Sequence, residues 1–203
     1  MSSLTVAPLV LASSSRTRAR LLEEAGLAVT CDPAAIDEGA IKLRCRTEGR
    51  DASACAASLA DAKAACVAER HEGALVIGAD QILVSGEDWF DKPQDRVGAR
   101  RQLLRLRGKP HELVTSVAVW RDNRALWRHV ERPRLFMRDF SDDFLDAYLA
   151  ACGDGILASV GAYQLEHLGA QLFERIDGDY FAILGLPLLP LLGFLREAGA
   201  VRR

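Results

Sequence analysis

Aromatic residues are scarce, at 6% of the 203 residues. Few flat side chains are therefore available to stack on the bases of a bound strand. Basic excess is also missing: 26 Lys and Arg stand against 28 Asp and Glu, a formal net charge of −2. No global positive field exists to hold a nucleic acid by counterion release, and no nucleic-acid partner is expected. No apolar stretch reaches the roughly 20 residues of a membrane helix. The longest, 182–195, is interrupted by Gly185, Pro187, Pro190 and Gly193, so no membrane partner is expected either. The N-terminus lacks a basic region followed by a long apolar one and is not expected to act as a signal peptide. Cysteine is sparse: Cys31, Cys45, Cys55, Cys66 and Cys152 form an odd set without CxxC spacing. That pattern argues against a disulfide framework and a zinc ribbon and for a reducing, cytoplasmic location. The common catalytic signatures are absent as well, among them GxxxxGK[ST], HExxH, GxSxG and a GxGxxG after a strand.

What is present is an ordinary globular composition, 49% hydrophobic and 27% charged. The length predicts one domain, 1–203, with two lobes around one cleft. Short apolar runs predict buried strands at Leu9 to Ala12 and Leu75 to Gly78, the second continuing extended over Ile82 to Ser85. Trp89-Phe90 reads as a return strand after a turn at Gly86-Glu87-Asp88. Helical patterning covers about Arg16 to Ala25, with Gly26 as the stop. It covers Asp51 to Arg70 with an apolar stripe of Ala52, Cys55, Ala56, Leu59, Ala62 and Cys66. Asp95 caps a helix to about Leu106, and Ser141 one to Ala151. Cys31 to Arg50 is polar and irregular and reads as loop. Leu113 to Trp120, Ala125 to Met137 and Gln171 to Ile176 read as strands. Pro187 opens a last helix ended by Gly199. The three opening residues and Val201-Arg202-Arg203 read as frayed ends. Helices interleaved with strands and hairpins predict an α/β class with a mixed sheet flanked by helices.

Four places could carry chemistry. A strand runs into Ser13-Ser14-Ser15 and then a helix whose first turn holds Arg16 and Arg18. Free amides and the helix dipole favour an anion there, whereas cations oppose the dipole. The alternative is a plain serine cap with solvated arginines. Lys63 sits on the apolar stripe of a helix, where it either snorkels or meets an anion. Asp80 ends a buried strand, where open α/β sheets place ligands, and a turn aspartate is the plainer reading. Lys92 precedes Pro93, and Glu38 lies in the polar stretch; each is weak alone. His111, opening a strand near Thr115, reads as structural sooner than catalytic. The run Arg100, Arg101, Arg105, Arg107 and Lys109, and the set Arg132, Arg134 and Arg138, read as solvated faces. Together the carboxylates, lysines, arginines and hydroxyls suit a polyphosphate held with a divalent metal and attacked by water.

The chain also resembles the Maf family of nucleoside triphosphate pyrophosphatases, the septum-formation-inhibitor-like proteins. The resemblance rests on Leu11-Ala12-Ser13-Ser14-Ser15 with Arg18, Leu21 and Leu22, on Asp37-Glu38, and on Leu59-Ala60-Asp61-Ala62-Lys63-Ala64. It continues through Gly78-Ala79-Asp80, Lys92-Pro93, the stretch from Leu106 to Thr115, Gly161-Ala162-Tyr163, Gly178-Asp179-Tyr180 and Gly185-Leu186-Pro187. It implies a mixed α/β fold with a central cleft and hydrolysis of a nucleoside triphosphate to the monophosphate and pyrophosphate. It also implies dependence on Mg²⁺, Mn²⁺ or Co²⁺, and a homodimer. Asp80 would be the catalytic base or, alternatively, a metal ligand, and Glu38 would help hold the metal. Ser13, Ser15, Arg18, Lys63 and Lys92 would bind the phosphates. Thr17, Gln81 and Glu166 fall on the positions that separate the dTTP/UTP branch from the 7-methyl-GTP branch, and the chain follows neither pattern. Glu166 could accept hydrogen bonds from a base N–H, which mildly favours a purine or modified purine, while the Gln81 amide can both donate and accept. The family's older name keeps a rival open, a non-catalytic nucleotide-binding regulator of division.

Overall fold

The computed structural model describes residues 4–202. The fold is α/β: parallel and antiparallel strand pairings are mixed among flanking helices. The chain forms two compact units. Unit 1 comprises Met1–Gln81, Thr115–Glu131 and Gly185–Arg203; unit 2 comprises Ile82–Val114 and Arg132–Leu184.

In unit 1, β1 (Leu9–Leu11) lies parallel to β2 (Thr30–Cys31) and to the first part of β3 (Leu75–Ser85). The β1 and β3 runs have little alternation because both are buried, as parallel strands covered on both faces must be. Helix α1 (Arg16–Glu24) starts at Ser15, whose hydroxyl accepts from the Arg18 amide, and Gly26 follows at φ 79°. Helix α3 (Ala52–Ala68) is capped by Asp51. Its buried stripe includes Leu59, Ala60, Lys63, Ala64 and Val67, while the expected Ala62 and Cys66 are half-buried. A lysine enters the stripe because its charge is neutralised there, as described below.

The second part of β5 (Pro110–Arg121) turns into β6 (Arg124–Glu131) through Asp122 and Asn123, at φ 50° and 60°. Those left-handed values are what a tight two-residue hairpin turn needs, and Asp and Asn tolerate them. The last helix, α7 (Leu188–Glu197), follows Pro187 as expected.

Two expectations in this unit fail. The stretch from Cys31 to Arg50 contains β2 and a ten-residue helix, α2 (Glu38–Thr47). It escapes a periodicity reading because it buries a single residue, Cys45. Its ends hold it instead: Asp37 Oδ1 accepts from the Ala40 amide at 2.9 Å, and Arg44 pairs with Glu48 at 2.7 Å. Val201 is not frayed; it is buried and bridges Thr5. Arg202 is held as well, its amide donating to the Leu4 carbonyl at 3.0 Å, whereas residues 1–3 and 203 lie outside the described residues.

Unit 2 holds the β3–β4 hairpin, with β4 at Asp88–Phe90, and α4 (Arg96–Leu106). The first part of β5 pairs with β7 (Arg134–Met137), and β7 pairs with β8 (Phe173–Asp177). The expected long strand from Ala125 to Met137 is two strands, because Pro133 cannot donate to a ladder. Helix α5 (Asp142–Cys152), three 3₁₀ turns between Gly153 and Leu172, and the short α6 (Tyr180–Ile183) complete it. Its core gathers Leu83, Leu103, Leu113, Leu135, Leu145 and Tyr163.

Candidate active site

Asp80 stands on β3, buried to 5% exposure. Facing it is Lys63 of α3, whose Nζ donates to Asp80 Oδ1 at 2.6 Å. The same ammonium lies 2.8 Å from Glu38 Oε1, at the first residue of α2. Three residues far apart in sequence thus converge on one charge. The contact depends on how near α3 comes to β3. A Cβ on Gly78 would lie 2.2 Å from the Ala60 carbonyl oxygen and 2.7 Å from the Ala64 amide nitrogen. Only glycine lets helix and strand pack at that spacing, and the small residues of α3 do the rest.

At the start of α1, Ser13 is buried and its Oγ accepts from the Ser15 amide and from Arg18 Nη1, both at 3.2 Å. Arg18 also donates from Nε to the Gly185 carbonyl at 2.7 Å and from Nη1 to the Ala79 carbonyl at 2.9 Å. The Ala79 carbonyl sits next to Asp80, so Arg18 ties the start of α1 to the strand that carries the carboxylate. Burial lowers the Arg18 pKa, and the negative charges of Asp80 and Glu38 oppose that shift. A guanidinium stays protonated under any such balance. Gly185 is at φ 99°, a left-handed conformation that leaves its carbonyl available to Arg18.

The structure brings Ser13, Ser15, Arg18, Glu38, Lys63 and Asp80 together in unit 1. Thr17 is half-buried on the first turn of α1. Gln81, next to Asp80, donates from Nε2 to Thr115 Oγ1 at 2.8 Å, and Thr115 is fully buried. Lys92 is exposed just after β4, and Glu166 is half-buried between two 3₁₀ turns; both belong to unit 2. The sequence offered no sign that the carbonyls of Ala79 and Gly185 would anchor Arg18 or that Thr115 would orient Gln81, although all three lie in motifs singled out above. His111 is buried, with Nε2 at 2.8 Å from the Tyr163 hydroxyl. Burial pushes its pKa down to about 4, so it stays neutral at pH 7 and serves packing.

The chemistry of this cluster can be read from its donors. Two carboxylates already share one cation, and their hard oxygens fit Mg²⁺ or Mn²⁺. Among the described residues no group of three His, Cys, Asp or Glu side chains gathers to hold a metal. A small divalent cation bound through one or two carboxylates takes its remaining ligands from water and phosphate oxygens. Hydroxyls, backbone amides and a guanidinium at a helix start supply the complementary anion contacts.

Comparison with known proteins agrees with that chemistry. The profile for "Maf-like protein" matches residues 8–198. A protein of Paramagnetospirillum magneticum named nucleoside triphosphate pyrophosphatase is 55% identical over 190 residues, covering 94% of this chain and 98% of the relative. One of the same name from Rhodospirillum rubrum is 51% identical and covers 97% of each chain. A 7-methyl-GTP pyrophosphatase of Brucella abortus is 49% identical, covering 93% of this chain and 95% of its own. The chain belongs to the Maf family.

Proposed function

We propose that this protein hydrolyses a nucleoside triphosphate to the monophosphate and pyrophosphate, clearing surplus or modified nucleotides from the pool. The observation that carries the reading is the buried Asp80–Lys63 pair, joined by the half-exposed Glu38 and tied through Arg18 to the serine-rich start of α1. Ser13, Ser15 and Arg18 bind phosphate oxygens at that helix start. Lys63 and Lys92 neutralise further phosphate charge. Asp80 takes the proton of the attacking water, so that the new P–O bond forms as the bond to the pyrophosphate leaving group breaks. Metal ligation by Asp80 is the alternative role for the same carboxylate. When bound, a divalent metal held by Glu38 and Asp80 supplies neutralisation of the charge that develops on the phosphoryl oxygens.

Thr17, Gln81 and Glu166 are proposed to choose the base. The relatives carry both a general and a 7-methyl-GTP name, and Glu166 as an acceptor favours a purine or modified purine. A cytoplasmic homodimer completes the reading. Five free cysteines are in keeping with a reducing compartment, and among the described residues no helix is long and apolar enough to cross a membrane.

The test is pyrophosphate release from canonical NTPs and dNTPs, 7-methyl-GTP, and pseudouridine and 5-methyl nucleotides, with Mg²⁺, Mn²⁺ or Co²⁺. Turnover to monophosphate plus pyrophosphate is expected, falling by about 100-fold or more in Asp80→Asn. A folded protein that binds nucleotide and turns over none of them would favour the regulator of division instead. Near-full turnover in Asp80→Asn would remove the base assignment.

A further inference from the structure

We propose that Lys63 is a built-in cation that keeps Glu38 and Asp80 closed to a divalent metal until a triphosphate arrives to take its ammonium. The inference rests on the metal-dependent reading above and goes beyond it to the order of binding.

Both carboxylates spend an oxygen on the same Nζ, at 2.6 and 2.8 Å. Each carboxylate keeps a second oxygen, but a dication bound by the pair would sit directly beside the ammonium that both already hold. Lys63 and Asp80 are both buried, so water screens little of the repulsion that a dication would meet beside a retained ammonium. With two protein carboxylates and no third His, Cys, Asp or Glu gathered beside them among the described residues, a divalent ion has few charged protein ligands with which to displace the lysine by itself. A triphosphate changes both sides of that balance. It brings phosphate oxygens to the metal and gives the ammonium another anion.

The clasp is built to open on one side. Asp80 is fixed in the core strand β3, whereas Glu38 is half-exposed at the start of α2, a helix that buries only Cys45. The lysine stem can re-aim its charge without moving the helix backbone, since it has four flexible carbons. Arg18 has less freedom than Lys63 to re-aim its charge, because its Nε and Nη1 are tethered to the Gly185 and Ala79 carbonyls and Ser13.

The experiment is Mn²⁺ titration of the nucleotide-free protein, followed by calorimetry and by the loss of the free-Mn²⁺ electron-paramagnetic signal. Wild type is expected to bind weakly, and Lys63→Met at least about tenfold more tightly. Equal or weaker binding by a folded Lys63→Met overturns the inference. Should that variant fail to fold, the wild-type Tm decides. It is expected to rise with Mn²⁺ and pyrophosphate together, and not with Mn²⁺ alone or with pyrophosphate in EDTA. A rise with Mn²⁺ alone as large as with both, or no rise with both, overturns it equally. Neither readout uses catalysis, so a wild-type protein that hydrolyses no nucleotide would remove the functional reading without deciding this one.

Discussion

Gly78 leaves no room for a methyl group, since its Cβ would meet the Ala60 carbonyl oxygen at 2.2 Å. Gly78→Ala must push α3 off β3, and with it the lysine that faces Asp80. A loss of about 3 kcal/mol in denaturant unfolding is expected, with turnover falling alongside. Unchanged stability would mean that α3 can slide at little cost. His111 gives a second prediction at this scale, with a definite sign. Its pKa is pushed down to about 4 by burial, against an ordinary value near 6.5. Between those values the unfolded chain takes up a proton that the folded protein refuses. Stability contributed by the neutral ring is therefore complete above pH 6.5 and falls as pH drops towards 4, by about 3 kcal/mol in all. Urea unfolding at a series of pH values should show that slope in wild type and a shallower one in His111→Gln. Both residues were visible in the sequence, Gly78 inside Gly78-Ala79-Asp80 and His111 as a lone histidine. The contact that makes the glycine necessary and the burial that keeps the histidine neutral were not.

Elements with a buried face could be read from their spacing, and elements without one could not. Helix α3 is legible because its apolar residues recur along one side and Asp51 marks its start. The Asp51 carboxylate accepts from the Ala54 amide at 2.8 Å, outside the active cluster. Asp51→Ala should cost about 1 kcal/mol, or some 2–4 °C in Tm, with kcat unchanged. Differential scanning calorimetry beside a pyrophosphate assay checks both halves. Helix α2 escaped notice because caps and charges, not packing, hold it. Its signals were local and modest: Asp37 before the first turn, Glu38 at the positive end, Arg44 and Arg46 at the other. The break between β6 and β7 is signalled by Pro133 and by the charged residues Glu131, Arg132 and Arg134 that flank it.

Across the whole molecule, charge is distributed in short intramolecular pairs. In unit 2 several arginines of the two basic sets are engaged within the fold. Arg100 pairs with Asp146, Arg105 with Asp88, Arg107 with Asp142 and Arg132 with Glu112. Arg134 and Arg138 lie over the rings of Phe136 and Phe144. With a net charge of −2, oligonucleotide binding measured by fluorescence anisotropy at low salt is expected to be negligible. A steep salt dependence would contradict this. The sequence by itself determined the α/β class, the strand-to-helix start at Ser13-Ser14-Ser15, the caps and most element bounds, since periodicity and turn chemistry are local. Its ordered motifs also named the residues of the cluster. Only the tertiary structure decided that Glu38, Lys63 and Asp80 share one ammonium, that Arg18 is held by the Ala79 and Gly185 carbonyls, and that Thr115 orients Gln81. Those contacts join residues between 17 and 167 positions apart. Their partners are set by how strands and helices pack, and backbone carbonyls carry no residue-type signal at all.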